Sequence, residues 1–164
     1  MSDWEAATSN LRQLPDVQET TVVRMLRRFI LAILAFAMAG TFIDLVLLDH
    51  DGDVWQMIPL GLLGLAGVAL VWSSVGGSAI SVRGFQISMT LLLMGGILGT
   101  ILHGQASAEF HRELDSAASR WQIISTVLRS QVPPIFAPAS LMHMGLMGLA
   151  STYRHPAIRR RDIR

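Results

Sequence analysis

The chain has 164 residues, 51% hydrophobic and 15% charged, with a formal net charge of +1. Its mean hydropathy of +0.46 is too high for an ordinary soluble domain, and the small net charge supplies no basic field for nucleic acid. With no cysteine, disulfides, thiolate metal sites, iron–sulfur ligation and cysteine nucleophiles are all excluded.

Residues 1–23 read as a polar arm in which Trp4, Leu11 and Leu14 could dock on a neighbour. The first apolar run, 29–48, follows Arg24, Arg27 and Arg28 and is long enough to cross a bilayer as a helix. Its basic start and Ala-Met-Ala stretch resemble a signal peptide. The apolar run continues through Leu45 to Leu48, however, so an uncleaved span is expected. Asp44 lies inside it, an ionisable residue where charge is costly.

The turn Asp49–Asp53 (DHDGD) alternates acidic side chains around Gly52 but lacks the later ligands of a calcium loop, so it reads as a solvated turn. The second span, 54–73, is bracketed by Trp55 and Trp72, about 26 Å apart on a helix, as interfacial aromatics should be. The third, 84–103, carries Gly95 and Gly99, a small-xxx-small pair that lets helices approach closely.

Beyond His103 the pattern becomes amphipathic. Phe110, Leu114, Ala117, Trp121, Ile124 and Leu128 recur at steps of three and four, predicting one helix over 107–129 with Ser107 as its cap. Glu109 and Glu113 share a face, and His111 lies two residues from each, pointing away. One continuous helix cannot give all three to one ion. His103 could fold back on either carboxylate, which makes His103, Glu109 and Glu113 weak metal candidates.

The fourth span, 134–153, holds His143 near its middle, among Met142, Met144 and Met147. His143 and Met147, four apart, are the pair that a soft copper ion would need. Haem is the other cofactor considered, but His103 ends its span while His143 lies roughly 13 Å deeper, too far for two axial ligands. No cofactor is therefore predicted. Residues 155–164 form a basic tail suited to anchoring topology and touching anionic lipid.

Arginines cluster before span one, between spans two and three, and after span four; the carboxylates cluster on the other side. The positive-inside rule then places both termini in the cytoplasm. The expectation is an all-α integral membrane protein of a bacterial inner membrane, with four transmembrane helices in residues 24–154 and an amphipathic helix on the outer face. No nucleophile elbow, phosphate loop or zinc spacing occurs, so no enzyme activity and no soluble substrate are expected.

The pattern predicts a non-catalytic accessory or structural subunit of a larger membrane complex, an energy-transducing assembly being one fitting setting. Its partners would be other integral membrane subunits and lipids, with no nucleic acid. The alternative is a small transport or metal-handling protein using His143, Asp44 and the outer histidines and carboxylates. A membrane enzyme using Glu109, His111 and Glu113 as acid–base groups ranks last.

Overall fold

The computed structural model describes residues 21–48, 54–129 and 138–159. These residues form helices α1 (Thr21–Leu47), α2 (Val54–Gly76), α3 (Ala79–Leu114), α4 (Arg120–Arg129), α5 (Ala139–Ser151) and the single turn α6 (Pro156–Arg159), with no strand among them. Helices α1, α2 and α3 are long and apolar enough to cross a membrane. The polar arm before residue 21, the Asp49–Asp53 turn, residues 130–137 and the tail from residue 160 lie outside the described residues.

The long helices are apolar all round but pack with one face. On α1, Leu34 is 0% exposed and Phe36, two residues on, is 83% exposed. Such an outward apolar surface suits a lipid solvent and would be costly in water. The inward faces of α1, α2, α3 and α5 meet in one core built on Leu34, Met38, Leu63, Ala66, Phe85, Met89, Leu92, Leu141 and Met144.

Helices α2 and α3 are joined by a tight turn whose residues explain it. Gly77 takes φ +54°, the left-handed conformation that ends a helix without a Cβ clash. Ser78 then caps α3: its Oγ accepts from the Ser81 amide at 3.1 Å, while Ser81 Oγ accepts from the Ser78 amide at 3.2 Å.

One end of the bundle gathers the start of α1, the end of α2, the start of α3 and the end of α5 around a shared cavity. The four helices therefore alternate in direction. Glycines set the closest approach, between α3 and α5. A Cβ on Gly145 would stand 2.7 Å from the Met89 carbonyl and 2.8 Å from the Leu93 amide, and one on Gly96 would stand 2.7 Å from the Met142 amide. Gly99 lies against Pro138 and Gly95 against Leu62, so the pair expected to mediate packing faces two different helices.

Three boundaries differ from the sequence reading. Helix α1 already covers Thr21 to Arg28, ahead of the expected span, so its arginines lie within the helix. Helix α3 does not stop at His103 but runs on to Leu114, because Gly104 alone is too weak a breaker to end it. Ser107 is consequently an interior residue of α3, 0% exposed, and not a cap. The expected single helix over 107–129 is divided at Asp115–Ser119. There Asp115 leaves helical geometry and accepts from the Ala117 amide, while Ser119 accepts from the Gln122 amide to begin α4. Of the expected fourth span, 134–153, helix is described over Ala139–Ser151.

Candidate functional site

The face of α3 that packs in the bundle continues beyond it. Phe85, Met89, Leu92, Gly96, Thr100, His103, Ser107 and His111 recur at steps of four and three, one uninterrupted stripe. Its inner half is apolar and fully buried. Its outer half turns polar: Ser107 Oγ and His111 Nε2 are both shielded from solvent and make no hydrogen bond among the described residues. Shielded polar atoms of this kind cost free energy unless a ligand, water or neighbouring chain satisfies them.

Helix α4 packs beside this stripe, on Ala108. Ile123 and Val127 are its buried residues and pack against Ala108 and Ala118. The large side chains point elsewhere: Phe110 is 50% exposed, Leu114 69%, Trp121 76%, Ile124 48% and Leu128 57%. The apolar stripe read from the sequence is thus carried on two helices and presented outward, while Ile123 and Val127, each one residue before Ile124 and Leu128, make the internal contact. Sequence reasoning missed Ile123 and Val127 because their contact needs the break at residues 115–119. It also missed the polar half of the α3 stripe, although the His103–Ser107–His111 spacing carried that signal.

Glu109 and Glu113 are both exposed. His103 shares the α3 axis with Glu109 six residues on, about 240° around the helix, so it does not fold back on either carboxylate. Among the described residues, no group of three histidines, aspartates or glutamates is placed to hold a metal ion.

The two ionisable residues that the sequence places within the spans, Asp44 and His143, both face out of the bundle. Asp44 is exposed near the end of α1. His143 is exposed on α5, where its Nδ1 lies 2.7 Å from the Ala139 carbonyl of the preceding turn and makes its contact within its own helix. Its methionine neighbours make their contacts inside the bundle. Met144 is buried in the core, Met147 packs against it, and Met142 Sδ accepts from Thr100 Oγ1 at 3.9 Å. Arg27 donates to the Ser151 carbonyl, so α1 and α5 run antiparallel in a known register. Asp44 is then roughly 25 Å and His143 roughly 12 Å from that end, at different depths. The α3–α5 register sets His143 level with residues near Met94, about 13 Å along the axis from His103, so these rings cannot ligate one haem.

Comparison of the chain with models of protein families, with curated proteins and with solved structures finds no match.

Proposed function

We propose that this chain is a non-catalytic accessory or structural subunit of a larger membrane protein complex in a bacterial inner membrane. In this reading α5 belongs to a fourth span, both termini are cytoplasmic, and α4 with the end of α3 forms a docking surface on the outer side. The observation that carries it is the outward display of Phe110, Leu114 and Trp121. Helix α3 has 36 residues. That is about 54 Å of helix against a hydrocarbon core of about 30 Å, so its end projects well beyond the lipid tails. Large apolar side chains exposed there are the mark of a surface that another protein covers. The outward Asp44 and His143 agree, since ionisable groups facing lipid are costly and a neighbouring subunit would supply their partners. The subunits of an energy-transducing assembly are one class of partner with that character.

The test is isolation of the tagged chain from its native membrane in mild detergent. Stoichiometric co-purification of another integral membrane protein is expected, with its loss on Phe110→Ser plus Trp121→Ser substitution. Recovery of the wild-type chain as a free monomer from cells that express it natively would sink the proposal. No described geometry favours the transport or metal-handling reading over this one.

A further inference from the structure

We propose that the arginine end of the bundle binds the phosphodiester headgroup of an anionic glycerophospholipid. The cavity there, about 360 Å³, falls in the size range of small-molecule pockets. Helix α1 contributes Arg24, Arg27 and Arg28 to its wall, and His155, whose Nδ1 accepts from the Ala157 amide, adds an imidazole; among the described residues no carboxylate lines it. The carboxylates among the described residues, Asp44, Glu109, Glu113 and Asp115, all lie toward the opposite end.

The wall is built and not merely decorated with charge. Arg27 Nε donates to the Ser151 carbonyl at 2.7 Å and its Nη2 donates to the Tyr153 carbonyl at 3.3 Å. This ties one guanidinium across the end of α5 and joins two helices at the cavity. Arg24 precedes Arg27 by three residues and Arg28 by four, so all three share one side of α1. Gly77 and Val82, also lining residues, flank the capped start of α3, whose helix dipole adds positive potential. Guanidinium forks of this kind match the oxygens of a phosphodiester.

A lipid source is favoured over a free phosphate by what lies beside the charge. Leu31 and the buried Val82 and Phe85 give the cavity an apolar wall. Immediately after Arg28, α1 exposes Phe29 and Ile33, where an acyl chain would run on from a headgroup held by the arginines. Basic pockets between helices at the headgroup level are suited to anionic lipid.

Full-length chain in a non-ionic detergent would be mixed with phosphatidylglycerol, phosphatidylcholine or inorganic phosphate, and the retained ligand read by native mass spectrometry. Phosphatidylglycerol should be retained in preference to phosphatidylcholine, and excess inorganic phosphate should not displace it. Arg24→Gln should weaken retention about fivefold and Arg24→Gln with Arg28→Gln roughly thirtyfold, so the test stands even if the double variant folds poorly. Arg83→Gln with Arg154→Gln, at the same end but outside this cavity, should leave retention unchanged. Equal retention of the two lipids, or wild-type retention by the Arg24 and Arg28 variants, overturns the proposal. So does an equal loss in the Arg83/Arg154 pair, which would mean a diffuse field. Displacement by inorganic phosphate would reassign the cavity to a free anion.

Discussion

At the scale of single residues, the glycines divide into two classes that composition cannot separate. Gly145 touches the α3 backbone, where nothing can swing aside, whereas a Cβ on Gly61 or Gly64 meets nothing within 4 Å. Gly145→Ala should therefore cost about 1–3 kcal/mol by overpacking the α3–α5 contact. Gly64→Ala should be neutral, or stabilise by up to about 1 kcal/mol through helix propensity. Reversible unfolding of both variants in micelles, followed by circular dichroism, checks the pair; equal costs would contradict the packing described. Gly95 and Gly99 show why spacing alone misleads. They satisfy a small-xxx-small pattern, yet Gly96 between them makes the tighter backbone approach.

At the scale of elements, the turns matter as much as the helices. Gly77 holds a positive φ between α2 and α3. Gly77→Ala should cost about 1 kcal/mol or more, measured in the same unfolding experiment, because an L side chain there meets the following carbonyl. A variant as stable as wild type would mean the turn is not in this conformation. The apolar helices were legible in the sequence because a bilayer demands about 20 continuous apolar residues. The region beyond His103 was legible only in part. Its polarity and helical period were plain, but the continuation of α3 through His103 and the break at Asp115–Ser119 were not. A polar stripe at helical spacing does not state whether it is buried, and Ser107 in isolation reads equally as a cap. Only the packing of Ile123 and Val127 on Ala108 and Ala118 shows which way the two helices turn.

For the molecule as a whole, the carboxylates of the described residues gather toward one end, where Arg112, Arg120 and Arg129 accompany them. The arginines of α1 and the α2–α3 side face one way and the carboxylates of α3 face the other, the asymmetry on which the proposed orientation rests. The chain contains no cysteine, so single introduced cysteines report topology without background. In intact cells an impermeant maleimide should label Ser116→Cys and spare Arg83→Cys until the membrane is opened. The reverse pattern would invert the orientation, and labelling of both would contradict the paired spans.

The sequence by itself determined that this is an all-helical chain with helices able to cross a membrane, and where its charges lie along them. Those properties follow from local composition and period, which the bilayer reads directly. Tertiary structure alone decided which glycines carry packing, that Asp44 and His143 face outward, that Phe110 and Trp121 are left uncovered, and that Arg24, Arg27 and Arg28 wall a cavity. Arg27 and Ser151 are 124 residues apart in the chain. A contact of that separation depends on how four helices of near-uniform apolarity choose their neighbours, and lipid supplies no hydrophobic gradient from which the choice could be read.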